Sequence, residues 1–195
     1  MGLAKPQYML DGQKGGRVQL RPRQAGFTLI ELMVAIALLA MLLAAGAPSF
    51  SAFIQNRKIR TAASAVQDGL NVAKSEAVRR NTNISFALDA AGGWVVGCTT
   101  VTGVDCPASI QTRSSGEGSV GVATTAANLT FNGYGRASSL AAGANATINV
   151  SNPLGTCEDA GGSMRCLRVV VTPGGQIRMC DPKTTISNPT APQAC

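Results

Sequence analysis

At 195 residues the chain has room for one globular domain and an appended segment, but not for two full domains. Apolar residues make up 45% of it and aromatics only 4%, so small side chains must fill the core, and such a core benefits from covalent staples. The net charge of +7 is uneven: Lys5, Lys14, Arg17, Arg21 and Arg23 against Asp11 place +4 before residue 27, which argues against a nucleic-acid binder that is basic throughout.

Residues 1–26 are polar, rich in Gly and Gln, and show neither a helical nor a strand period. Phe27 to Ala47 then reads FTLIELMVAIALLAMLLAAGA, an apolar run with a single charge at Glu31. As a helix rising ~1.5 Å per residue it spans about 30 Å, the depth of a bilayer core. Basic residues before the run orient its N-terminus toward the cytoplasm. A cleavable secretory signal and a plain membrane anchor are both consistent with this profile, yet neither explains Glu31. A carboxylate within an apolar helix costs on the order of 2–3 kcal/mol, so it needs a reason to be there.

The run Gly26-Phe27-Thr28-Leu29-Ile30-Glu31-Leu32-Met33-Val34 resembles the signature of type IV prepilins and type II secretion pseudopilins. The resemblance implies that residues 1–26 are a leader, cut between Gly26 and Phe27 by a prepilin peptidase, and that Phe27 is N-methylated. It also implies that Phe27–Ala47 stays as the transmembrane helix and that Glu31 pairs with the terminal amine of a neighbouring subunit. The chemistry is consistent: Gly26 lets a protease approach the backbone, and a carboxylate in the first helical turn complements the helix dipole.

Pro48 matches a proline of pilin helices and is expected to kink the helix there. Beyond it Ile59, Ala62, Ala63, Val66, Leu70, Ala73 and Ala77 recur at three- and four-residue steps, so residues 48–81 continue as an amphipathic helix ending near Asn81. Arg79 and Arg80 in the last turn favour its dipole, a capping role rather than a binding one.

Residues 82–195 alternate short strands with turn residues. The expected strands are Ile84–Leu88, Trp94–Gly97, Ser119–Ala123, Leu129–Phe131, Thr147–Val150, Leu167–Val171 and Gln176–Cys180. Pro173-Gly174-Gly175 supplies the turn of the final hairpin. The fold class is therefore α+β, a long N-terminal helix packed on an antiparallel sheet domain. All six cysteines (Cys98, Cys106, Cys157, Cys166, Cys180 and Cys195) follow the apolar run. An even number confined to the exported part reads as disulfides. With no CxxC pair and no histidine, no metal site and no cofactor are expected. The shortest loops pair Cys98 with Cys106, Cys157 with Cys166, and Cys180 with Cys195.

Ala73-Lys74-Ser75-Glu76-Ala77-Val78-Arg79-Arg80-Asn81 resembles a run of the GspH/FimT/FimU group, as does the segment Val169 to Asp181. The group implies a minor pilin that primes or caps a type IV pilus, or a pseudopilin of a type II secretion pseudopilus. Its partners would be other pilins or pseudopilins, the prepilin peptidase and an inner-membrane assembly platform. The protein would sit in the bacterial inner membrane with a periplasmic C-terminal domain. Some FimT-like members capture DNA through a C-terminal G-R-x-R motif. Here Gly175-Gln176-Ile177-Arg178 keeps only the second arginine. Arg165, Arg168 and Lys183 could join Arg178 if they share a face. No catalytic constellation stands out: there is no histidine base, and the lone Trp94 suits a core position. A non-enzymatic assembly subunit is expected. The alternatives are a DNA-binding minor pilin and an anchored protein that never assembles.

Overall fold

The computed structural model describes residues 26–115 and 120–195. It divides into two compact units, one ending at Ala44 and one running from Ala45 to Cys195. Nearly all of the expected leader lies outside the described residues, as do Glu117 and its neighbours.

Helix α1 covers Leu29–Arg80, 52 residues, with Glu31 in its first turn and Arg79 and Arg80 in its last. In the first unit its apolar side chains, from Leu29 to Leu43, are exposed. Among the described residues no helix is long and apolar enough to cross a membrane; the described side chains of the apolar run end at Ala44. The kink expected at Pro48 concerns a side chain outside the described residues.

In the second unit α1 buries Ile59, Ala63, Val66, Leu70, Ala73 and Ala77 of the expected stripe, while Ala62 is only partly buried. The helix stops where Asn81 turns left-handed (φ 49°) and the Thr82 N–H reaches back to the Ala77 carbonyl, at 3.2 Å. Asparagine tolerates that conformation better than most residues, which is why it closes helices.

Among the described residues eight strands follow: β1 Ile84–Leu88, β2 Trp94–Cys98, β3 Gln111–Arg113, β4 Gly121–Thr124, β5 Asn128–Phe131, β6 Ala146–Ser151, β7 Leu167–Val171 and β8 Ile177–Cys180, with a short helix α2 at Pro182–Ser187. They form two antiparallel four-stranded sheets, ordered β3-β2-β1-β5 and β4-β6-β7-β8. Alternation places Ile84 and Phe86 of β1, Val96 of β2, Leu129 and Phe131 of β5, Ile148 and Val150 of β6, and Val169 and Val171 of β7 in one core with the helix stripe.

Two features lie beyond the sequence expectations. Strand β3 is only three exposed residues, with no apolar alternation to reveal it. Helix α2 begins at Asp181, whose side chain accepts from the Lys183 N–H, with Pro182 at the first helical position. That pairing is a helix-start signal in its own right. Strand β8 begins at Ile177 rather than Gln176, because Gln176 still belongs to the turn, its N–H bonded to the Thr172 hydroxyl.

Trp94 is 5% exposed and lies beside Phe86, ring centroids 6.0 Å apart. Both rings rest on the helix at Gly69, where an added Cβ would sit 2.6 Å from Trp94 and 2.8 Å from Phe86. A helix-interior glycine costs up to ~1 kcal/mol in propensity, and here it makes room for the largest side chain of the core.

Candidate functional site

The N-terminal site is assembled by the first turn of α1. Gly26 and Phe27 precede the helix in exposed, irregular backbone. The Thr28 hydroxyl accepts from the Glu31 N–H at 3.2 Å, and the Leu32 N–H bonds the Thr28 carbonyl at 3.1 Å. Thr28 therefore caps the helix, with Glu31 three residues on, the spacing of a capping box. This cap is a role for Thr28 that the sequence reading did not assign, although the T-x-x-E spacing carries it. Glu31 sits among exposed apolar neighbours, including Ile30, Val34 and Leu38.

At the other end of the chain, the register decides which cations meet. Arg168 lies opposite Cys180 and Val170 opposite Arg178, so Arg168 and Arg178 share the outer face of the β7–β8 hairpin. Arg168 donates to the Asn149 amide oxygen at 2.6 Å, and Arg178 to the Cys195 carbonyl at 2.6 Å. Arg165 is held elsewhere, its guanidinium 2.7 Å from Asp181 on the side toward α1. Lys183 stands exposed in the first turn of α2. Two of the four candidate cations thus come together on the hairpin face, and Arg165 does not join them.

The turn of this hairpin is fixed from outside. Gly175 is left-handed (φ 81°), and any Cβ there would collide with the Gly135 carbonyl. Lys74 of α1 donates to the Gly175 carbonyl at 2.8 Å, tying helix to turn. Near the helix end, Glu76 binds Arg79 at 2.6 Å and Arg80 at 2.7 Å, and Arg80 also donates to the Asp105 carbonyl. Hydrogen bonding from Arg79 holds the Glu76 carboxyl below the usual carboxylate range, outweighing partial burial, with Arg80 adding to the effect. Arg80 thus ties the Cys98–Cys106 loop to the helix.

Three disulfides join Cys98 to Cys106, Cys157 to Cys166 and Cys180 to Cys195, the neighbouring pairs in each case. The last one fastens the C-terminal segment beside β8, where the Asp181 N–H also bonds the Gln193 carbonyl at 2.8 Å.

Comparison with known proteins places this arrangement. A family model described as type II transport protein GspH matches residues 62–175, more than half of the chain. The prokaryotic N-terminal methylation motif matches residues 21–47. No curated protein matches significantly. Among solved structures, the type IV minor pilin FimU of Pseudomonas aeruginosa is similar in fold, at 20% identity and a TM-score of 0.51, over 73% of this chain and 98% of that one. The minor pseudopilin EpsH of the Vibrio cholerae type 2 secretion system aligns at 13% identity and a TM-score of 0.47, over 64% of this chain and 97% of that one.

Proposed function

The chain belongs to the GspH family and carries the N-terminal methylation motif, and on that basis we propose that it is a minor subunit built into a type IV pilus or type II secretion fibre after its leader is removed. The observation that carries this reading is the joining, in one chain, of the methylation motif over residues 21–47 to the GspH match over residues 62–175.

The mechanism is assembly. Phe27–Ala47 holds the subunit in the inner membrane, with the β domain in the periplasm. The peptidase cuts between Gly26 and Phe27, and the new amine of Phe27 is methylated. Thr28 and Glu31 fix the geometry of the first turn, with the Thr28 hydroxyl on the Glu31 N–H. The Glu31 carboxylate then faces apolar surroundings, where an isolated charge costs ~2.5–3.5 kcal/mol. A neighbouring subunit's terminal amine removes that cost only when the two helices are in register, so one ion pair selects the axial stagger of subunits. Small residues along the same helix, Ala35, Ala37, Ala40 and Ala44, allow other helices to approach closely.

Glu31→Gln tests this directly, since it keeps the shape and removes the charge. The variant should be cleaved and held in the membrane, yet absent from sheared fibres. Its incorporation at wild-type level would refute the role given to Glu31.

A second reading is favoured by one observation, the shared outer face of Arg168 and Arg178. Those guanidiniums could take a phosphate backbone, as the resemblance to DNA-capturing minor pilins implies. Gel shifts with wild type beside Arg178→Ala decide it: a shift weakened in the variant supports the reading, and no shift with wild type ends it.

A further inference from the structure

The twelve basic side chains after residue 26 are not spread evenly over the second unit. Arg57, Lys58 and Arg60 of α1, Arg113 at the end of β3 and Arg165 just before β7 line three adjoining hollows, and Arg57 borders all of them. The largest, about 520 Å³, sets Arg57, Arg60 and Arg165 around a partly apolar floor of Phe53, Leu167 and Met179. Asp181 and Asp68 are the acidic residues lining these hollows. Asp181 is engaged with the Nε of Arg165 at 2.7 Å; it is 5% exposed while Arg165 is 57% exposed, so the carboxylate is buried and the end of the guanidinium stays open. Among the described residues Arg57, Lys58, Arg60 and Arg113 make no ion pair. Arg57 is steadied instead by the Phe53 ring, 5.0 Å from its centroid. The Asn56 amide oxygen takes the Arg165 N–H at 2.9 Å, which fixes the start of β7 against the helix.

We infer that this cationic track receives an extended acidic segment of a neighbouring pilin-type subunit, its carboxylates taken by Arg57, Arg60 and Arg165. The inference rests on the assembly function proposed above and names the chemistry of the partner. Four of the five cations are arginines, whose planar fork pairs carboxylates in bidentate fashion. The charges are distributed along successive hollows rather than gathered at one point, which suits side chains spaced along a peptide better than a single headgroup. The apolar floor accommodates the stems of those side chains and removes water from the ion pairs, and arginines in such places dominate interface energies. In the free subunit the like charges repel one another; a partner's carboxylates relieve that repulsion and steer the encounter.

The test uses the full chain in cells that assemble the fibre, with Phe53, a half-exposed lining residue of the track, replaced by photoreactive p-benzoylphenylalanine. Irradiation should yield an adduct with another processed pilin-type subunit, and peptide mapping should place the link on a stretch containing Asp or Glu. Arg57→Glu/Arg60→Glu should lower the adduct yield by at least roughly tenfold, since like charges facing across an interface are strongly unfavourable. Arg57→Lys/Arg60→Lys keeps the charge and should lose only a few-fold. Cleaved, disulfide-bonded protein in the membrane shows that each variant has folded. An adduct with phospholipid or nucleic acid, a link to a stretch without acidic residues, or a yield unchanged by charge reversal would overturn the inference while leaving the assembly role intact. Absence of the wild-type chain from every complex with processed pilin-type subunits would overturn the assembly role and this inference with it.

Discussion

Replacing both Cys180 and Cys195 by serine should cost more stability than removing either other disulfide. The sequence separations are 15 for Cys180–Cys195, 9 for Cys157–Cys166 and 8 for Cys98–Cys106. On the loop-closure account, 15 residues give about 3 kcal/mol and 8–9 residues about 2.5 kcal/mol. Local structure widens the gap. The Cys180–Cys195 bond also holds the Cys195 N–H on the Thr185 hydroxyl, at 2.6 Å, and the C-terminal segment whose Gln193 carbonyl takes the Asp181 N–H. A loss of about 3 kcal/mol in a domain of this size lowers the melting temperature by roughly 6–12 °C. Trp94 is the only tryptophan and is buried, so its fluorescence reports the unfolding of the core without a label. The measurement is thermal and urea unfolding of the full chain in mild detergent, for wild type and the three double-serine variants. A Cys180→Ser/Cys195→Ser protein that melts with the wild type, or above the Cys98→Ser/Cys106→Ser protein, would refute the reasoning.

Gly69→Val should destabilise the domain by about 1–3 kcal/mol, because overpacking against the Trp94 and Phe86 rings outweighs the small gain in helix propensity; a displaced Trp94 emission maximum would accompany the loss. Glu76→Gln should cost roughly 1 kcal/mol at neutral pH through its two arginine pairs. Its pH profile gives a second check. Because the folded-state pKa of Glu76 is lowered, its contribution is present above the ordinary carboxylate range and is lost as pH falls through the folded value, so wild type and variant should converge in stability as pH falls below that range. Lys74→Met should loosen the final hairpin, seen as faster amide exchange at Gly175 and Gln176, since the 2.8 Å bond to the Gly175 carbonyl is lost.

Much of the fold was legible because local patterns and long-range packing agree. The stripe from Ile59 to Ala77 reads as helical from its spacing alone, and the same residues, Ala62 only in part, are buried in one core with strands of both sheets. Strand β7 is legible for the same reason, as Val169, Val170 and Val171 have no other place to go. Two elements escaped because their signals are weak or were outweighed. Gln111-Thr112-Arg113 pairs with β2 through backbone groups alone, with all three side chains exposed. Asp181-Pro182 carries a helix-start signal immediately after a cysteine that ends a strand. The methylation motif over residues 21–47 was legible because its residues are contiguous. The cationic track was not, since Arg57 and Arg165 belong to distant parts of the chain and meet only once β7 docks on the helix.

The claim on which the account turns is that the chain works as a processed fibre subunit, and intact mass measurement of the protein from its own cells tests it most directly. The account predicts a single chain beginning at Phe27, heavier by one CH2 for the methyl that replaces an amine hydrogen and lighter by six hydrogens for its three disulfides. A terminus beyond residue 40, or an uncut 195-residue chain in cells with active prepilin peptidase, would contradict it.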